Sequence, residues 1–404
     1  MNTANILSVN YGAYNAIRML IGVYHAAFLI STGVTISQLA VLQIVFSVTV
    51  LILDFPLSVI ADRFYRKQVV VSGVFFTILF YPLCIQSPDM LALVFSEIFY
   101  AIGICCISGA IEGWVLSALD GRNEKFTLCA HLCERVSSFG SVITGAVGIL
   151  VVYFYDSYKS GYIVSFFLMF VVFIVFLCVK TNGSGGEKEA RDSIIKQAKE
   201  SIGLITGSYN GTYFLSITCM FTLGIQVIYH FWQPIMLSGE SIGSLSKREL
   251  ITLLMCHIGA FSMQYIANYL MPKIDVRCKL YMLVCTLCSF LSSIACILLF
   301  MLITDNNVVL GVAIFSIIHG MISTIPVGAQ NIFISRLNGN YKNIISGALG
   351  LVSLSCRVAS ISVLGVISVL PGNMPVTTYI FISAIACVLC GCLFLMWSFK
   401  KEMV

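Results

Sequence analysis

Read for its apolar and polar positions, the chain is a succession of long apolar runs separated by short polar ones. A helix needs about 20 residues to cross a bilayer core. Twelve windows reach that length: residues 9–31, 37–60, 69–87, 90–119, 128–155, 162–179, 212–237, 250–270, 280–303, 308–336, 344–370 and 376–399. The longest polar segment, 180–208, opens with Asn-Gly-Ser-Gly-Gly; beyond it Ala190, Ile194, Ala198 and Ile202 recur every four residues. Glu187 with Arg191 and Asp192 with Lys196 are opposite charges four apart, a spacing that supports helix. The pattern predicts a short amphipathic helix lying on the membrane surface and tethering two halves, with partner binding as an alternative role. The expected organisation is an N-terminal six-helix bundle over 1–180, a linker over 181–208 and a C-terminal six-helix bundle over 209–404.

Internal similarity points the same way. Ser117-Ala-Leu-Asp-Gly121 recurs as Ser335-Arg-Leu-Asn-Gly339, which places Glu112 opposite Gln330. With one turn of slack, Cys133-Glu134-Arg135-Val136 pairs with Ser355-Cys356-Arg357-Val358. Such correspondences are expected of a six-plus-six parallel repeat.

Composition agrees with a bilayer as solvent. The chain of 404 residues is 59% hydrophobic and 10% charged, against about 25% charged in soluble domains. Loop bias accounts for the net charge of +5, so there is no case for nucleic acid. Seventeen of the basic residues fall in alternate loops and at the C-terminus, against three (Lys159, Lys247 and Arg248) on the opposite face. The positive-inside rule then puts both termini in the cytoplasm. Residues 1–10 lack a basic n-region and a cleavage site, so the first span is expected to be the targeting element. The 16 cysteines are scattered through apolar runs. They read as small apolar filler, and no metal or cofactor is implied. No Gly-x-Ser-x-Gly, His-Glu-x-x-His or Walker-type loop is present, which argues against an enzyme and against ATP as the direct energy source. A membrane sensor on the same architecture would ordinarily need a long soluble extension.

The stretch Asp54-Phe-Pro-Leu-Ser-Val-Ile-Ala-Asp-Arg-Phe-Tyr-Arg-Lys67 ends an apolar run in dense charge. It resembles the signature loop of the major facilitator superfamily, which joins the second and third membrane helices. Asp54, Pro56, Ala61, Asp62, Arg63, Arg66 and Lys67 match that pattern, and Ser58 and Tyr65 stand where the family has glycines. The resemblance implies an all-α integral membrane protein with twelve helices in two six-helix pseudo-repeat bundles around a central cavity. The first, fourth, seventh and tenth helices would line that cavity. The loop Asp62, Arg63, Arg66 and Lys67 would act as a gate with the eleventh helix, Asp62 accepting from a helix N-terminus and from Arg66. The loop variant looks like those of bacterial drug and antimicrobial exporters, and the whole sequence is similar to self-immunity exporters of the microcin C type. A substrate of that kind is a modified peptide carrying a nucleotide. The fifth helix carries Gly140, Gly145 and Gly148 without the Pro of family antiporters. Glu112-Gly-Trp114 replaces the Arg found on the fourth helix of drug exporters.

Ionisable groups within apolar helices cost at least about 2.5–3.5 kcal/mol each and usually face a cavity or a partner. Here they are Arg18, Glu97, Glu112, Glu134, Arg135 and Arg357, with Asp54 near a helix end. Glu112 and Arg135 fall at similar depth on consecutive helices, so an ion pair is expected there. It would either lock the hairpin or switch the acidity of a proton-carrying carboxyl. Arg18 is expected in the cavity, giving it an anion-attracting character together with Arg357, or else paired with Glu134 or Glu97. His319 and Gln330 share the tenth helix with Pro326 and Gly328. Tyr14, Tyr24, Trp114, Tyr229 and Trp232 suit either a pocket or a headgroup belt. The expected proton-coupling residues are Glu112, Glu134 and Asp54. The expected substrate-cavity residues are Arg18, Tyr14, Glu97, Arg135, His319, Gln330 and Arg357. The function that follows is proton-coupled efflux of a toxic small molecule or peptide antibiotic by a monomer in a bacterial inner membrane. Uptake or facilitative transport of a small anionic solute is the alternative.

Overall fold

A computed structural model describes residues 3–63, 66–119, 123–180, 194–237, 246–276, 279–305, 307–336, 345–370 and 376–399. Among these residues the secondary structure is helical, without strands. In chain order the helices are α1 (Thr3–Gly22), α2 (His25–Ser31), α3 (Ile36–Arg63), α4 (Arg66–Cys84), α5 (Met90–Ala118), α6 (Asn123–Tyr155), α7 (Tyr158–Cys178), α8 (Ile194–Thr206), α9 (Tyr209–Met236), α10 (Lys247–Leu270), α11 (Lys279–Thr304), α12 (Val308–Ser335), α13 (Ile345–Val369) and α14 (Ile380–Phe399). Among the described residues twelve spans are long and apolar enough to cross a membrane, and each overlaps one of the twelve sequence windows. The first comprises α1 and α2, broken where Tyr24 leaves the helical region at φ −137°, ψ 4°. It starts earlier than expected. Asn10 would be costly in hydrocarbon, but its Nδ2 donates to the Val172 carbonyl of α7 at 3.1 Å, which satisfies the amide inside protein.

The chain divides into two compact units. The first comprises Met1–Lys188 and Ser241–His257; the second comprises Glu189–Glu240 and Ile258–Val404. The first half of α10 therefore groups with unit 1. Within unit 1, α1 lies along α6, α4 packs on α5 and α7, and α3 packs on α5. Within unit 2, α9 lies along α13 and α14, and α11 packs on α12 and α14. The pairing α1–α6, α4–α5 and α4–α7 thus reappears as α9–α13, α11–α12 and α11–α14.

Small residues set how closely the helices approach. A Cβ on Gly148 of α6 would run into the Leu20 carbonyl of α1, and one on Gly140 would lie 2.7 Å from the Ala16 Cβ. The bare face of α6 thus lets α1 pack backbone to backbone, as small residues do in membrane helix pairs. The third glycine, Gly145, faces the His257 ring instead; His257 Nε2 lies 2.9 Å from the Ser141 carbonyl.

The short helix in the linker forms, but its buried face differs from expectation. Ile202 is 48% exposed, whereas Ser201, Leu204 and Ile205 are buried, the last two in the core of unit 2. A strict four-residue repeat drifts around a 3.6-residue helix, so Ile202 falls off the buried face. α8 packs on α9 and α13, and its last turn is part of unit 2 rather than a free tether. The start of the expected pattern, Glu187 to Asp192, lies outside the described residues.

The basic end of the signature stretch holds unit 1 together at its base. Arg66 Nη1 donates to the Gly113 carbonyl at 2.8 Å and to Ser117 Oγ at 2.6 Å. Lys67 Nζ donates to the Leu177 and Val179 carbonyls at 2.7 and 2.8 Å. Both cations thus satisfy carbonyls near helix C-termini, of α5 and α7, where four such groups lack intrahelical partners. The side chains of Asp62 and Arg63 lie outside the described residues.

Candidate functional site

The most developed polar site in unit 1 is built around Arg18, in the last turn and a half of α1. Its Nε donates to Tyr100 Oη on α5 at 2.7 Å, and its Nη1 donates to Asn15 Oδ1, one turn earlier, at 3.3 Å. The guanidinium lies 5.0 Å from the Tyr100 ring centroid and 5.5 Å from that of Tyr14. Phe80 stacks on Tyr100 at 4.7 Å and Phe46 packs on it at 5.7 Å. Tyr14, fully buried, shares a hydrogen bond of 2.9 Å with Thr77 Oγ1. Four helices (α1, α3, α4 and α5) thus contribute to an enclosure of aromatic rings and neutral oxygens around the cation. Among the described residues no carboxylate lies within ion-pair reach of Arg18, so neither Glu97 nor Glu134 is its partner. A helix register explains the arrangement: Tyr14, Asn15 and Arg18 are three and four apart and share one face of α1.

A second polar group continues down α1. Tyr11, one turn before Tyr14, stacks on its ring at 6.3 Å. Glu112, Glu134 and Arg135 are all exposed on unit 1, and the expected Glu112–Arg135 ion pair does not form. The physical reason is topological. α5 and α6 are consecutive but scarcely touch, because α5 packs on α4 and α3 while α6 packs on α1. Equal depth on consecutive helices therefore did not mean contact. Asp54 is half-buried on α3.

Glu97 is 4% exposed on α5, apart from the Arg18 cage. Beside it Ser96 Oγ accepts from Cys84 Sγ at 3.4 Å. His25 at the start of α2 meets Tyr162 Oη through Nδ1 at 2.5 Å and packs on Phe80. Tyr24 is buried against Tyr158 and Tyr162, and Trp114 is buried against Phe176. Both are packing residues of unit 1.

In unit 2, the His319 ring of α12 packs on Tyr229 of α9 at 5.5 Å and on Phe315 at 5.2 Å. Trp232 stacks on Phe315 at 5.3 Å, completing an aromatic run between α9 and α12. His230 Nε2 pairs with Gln226 Oε1 at 2.8 Å. Gln330 is exposed and Arg357 half-buried. Tyr100, Asn15 and Thr77 were not singled out from the sequence. A hydroxyl or amide in an otherwise apolar run was the available signal, and many such residues occur. Among the described residues no cluster suited to a metal ion occurs.

Twelve apolar helices with polar side chains gathered inside them define a multi-pass integral membrane protein. The chain belongs to the Major Facilitator Superfamily, whose pattern it matches over residues 7–357. It is 27% identical over 212 residues to the uncharacterized MFS-type transporter YxaM of Bacillus subtilis (strain 168); the match spans 51% of this chain and 52% of YxaM, about half of each. Among solved structures, the nucleoside transporter NupG aligns at a TM-score of 0.73 with 13% identity over 100% of both chains. An autoinhibited POT family peptide transporter aligns at 0.73 with 11% identity over 100% of this chain and 98% of its own. The E. coli fucose:proton symporter FucP aligns at 0.59 with 14% identity over 99% and 98%. At these identities the likeness establishes the fold.

Proposed function

We propose that the chain is a proton-coupled secondary transporter that exports a toxic small molecule or peptide antibiotic carrying an oxyanion. The observation that carries the reading is the Arg18 cage. A guanidinium has five N–H donors. The described contacts engage two of them, both with neutral oxygens. The remaining fork and the uncompensated charge suit a carboxylate or phosphate, which guanidinium binds bidentately. The ring faces of Tyr14 and Tyr100 offer the rest of the substrate an apolar wall.

Glu112, Glu134 and Asp54 carry the proton, being carboxyls within apolar spans or at a span's end. Tyr14, Glu97 and Arg135 in unit 1, and His319, Gln330 and Arg357 in unit 2, are the further substrate-contact candidates, and Asp62, Arg63, Arg66 and Lys67 serve as the gate. Protonation and substrate binding then bias the inward and outward states, each by no more than its differential affinity for the two. Export follows from the resemblance of the signature loop to bacterial drug and antimicrobial exporters. The setting is a bacterial inner membrane with both termini cytoplasmic. A second reading is uptake or facilitative transport of a small anionic solute, which the open guanidinium fork of Arg18 suits equally.

The test is a resistance screen in cells expressing the chain, with a panel of toxic peptides and drugs, with and without a protonophore. Export predicts resistance that the protonophore abolishes. Heightened sensitivity to one compound favours uptake, and an unchanged profile across the panel rejects export.

A further inference from the structure

Unit 2 contains a cavity of about 410 Å³ at the junction of α11, α12 and the turn Met271–Lys273. This is near the lower end of the range for small-molecule sites, about 300–1,000 Å³. Its walls combine the apolar side chains Met271, Val276, Val327 and Ile334 with the polar side chains Tyr281, Asn331, Thr324 and Ser335. Asn331 Nδ2 donates to Tyr281 Oη at 3.0 Å. The Tyr281 hydroxyl proton and Asn331 Oδ1 remain for a ligand. Cations border the site in sequence. Lys273 and Lys279 are exposed, two residues from the lining positions Met271 and Tyr281, and Lys279 has no described hydrogen-bond or ion-pair partner. Lys273 is partly engaged with the Tyr269 ring at 3.8 Å. Asp275 is the described acid of this turn. Beside Tyr281 the outer surface of α11 is apolar and bare: Leu280 is 52% and Leu283 50% exposed.

We propose that this cavity seats the headgroup and glycerol of an anionic phospholipid. The phosphate meets Lys279 and Lys273, the glycerol oxygens meet Tyr281 and Asn331, and the acyl chains run out along Leu280 and Leu283. Basic pockets between membrane helices recognise anionic headgroups in this way. A freely diffusing phosphate would leave the four apolar side chains without a partner. The proposal uses neither Arg18 nor any step of transport, so it stands or falls apart from the exporter reading.

The test uses the full chain in neutral detergent, with retained lipid counted by native mass spectrometry and thermal unfolding followed in parallel. Phosphatidylglycerol, phosphatidylcholine and inorganic phosphate are added separately. Phosphatidylglycerol is expected to bind as one retained molecule and raise the unfolding midpoint, and phosphatidylcholine to bind at least several-fold more weakly. Lys279→Gln should weaken phosphatidylglycerol binding about fivefold, as one surface cation contributes about 1 kcal/mol toward an anionic lipid. Val327→Trp fills the cavity and should abolish the retained molecule while leaving the lipid-free midpoint within a few degrees. Equal retention of the two lipids overturns the proposal, as does undiminished binding to Lys279→Gln or a midpoint shift by phosphate equal to that by phosphatidylglycerol.

Discussion

Replacing Arg18 by Met separates a binding role from a structural one, because the two predict opposite outcomes for stability. The change removes the 2.7 Å bond to Tyr100, which as a charged donor contributes about 1.5–3 kcal/mol. The 3.3 Å bond to Asn15 is beyond the usual 2.7–3.2 Å range and adds little. Two cation–π contacts at 5.0 and 5.5 Å contribute about 0.5–1 kcal/mol each. Against these losses stands the cost of a cation within an apolar span, about 2.5–3.5 kcal/mol. Removing a member of a buried ion pair strands the other charge; here the groups left behind are a neutral hydroxyl and a neutral amide. The terms cancel to within about 2 kcal/mol, so the unfolding midpoint of Arg18→Met in detergent should stay near that of the unmodified protein. Oxyanion binding should fall far more. Losing a desolvated charge partner costs about 2–5 kcal/mol, at least about 30-fold in affinity. Transport in proteoliposomes and equilibrium binding of the exported compound measure that loss. A large fall in the midpoint with unchanged affinity of the folded fraction would refute the reasoning, since it would make Arg18 a structural bracket between α1 and α5.

Other substitutions probe other parts of the argument. Glu112→Gln should leave expression intact and abolish the response of transport to an imposed pH gradient; an unchanged response in energised vesicles would remove Glu112 from the coupling. Gly148→Ala forces a methyl group against the Leu20 carbonyl and should destabilise unit 1 by about 1–3 kcal/mol, the usual cost of overpacking, visible as a lower unfolding midpoint. Gly350→Ala, where a Cβ meets nothing within 4 Å, is its control and should be near neutral. Gly113→Ala places a methyl 2.8 Å from Arg66 Nε and should loosen the base of unit 1, slowing transport without changing which compounds are carried. A changed substrate profile would count against a mechanical role for Arg66.

Much of the architecture was legible because membrane spans are written in runs. The α1–α2 break and the extension of the first span back to Thr3 were not, since Asn10 and Tyr24 are satisfied by carbonyls 162 and 134 positions away. The candidate site was legible in part. Arg18 stands out in any apolar run, and Tyr14 was named with it. Tyr100 was invisible: nothing in the α5 sequence distinguishes the tyrosine that holds a guanidinium from one that packs. The Glu112–Arg135 pairing failed for a related reason, as depth along a helix follows from counting residues whereas helix adjacency does not. The three glycines of α6 were visible in the sequence, but that Gly140 and Gly148 face α1 while Gly145 faces His257 is decided by the tertiary structure.

By itself the sequence determined the solvent. A chain 59% hydrophobic and 10% charged has too little polar surface for water, so the number, length and placement of its spans follow from the thickness of the bilayer. Tertiary structure decided which polar groups meet. Inside the membrane the backbone is satisfied within each helix, so neighbours are chosen by side-chain fit and by where glycine and alanine allow close approach. That information lies in pairs of helices, and no single run contains it.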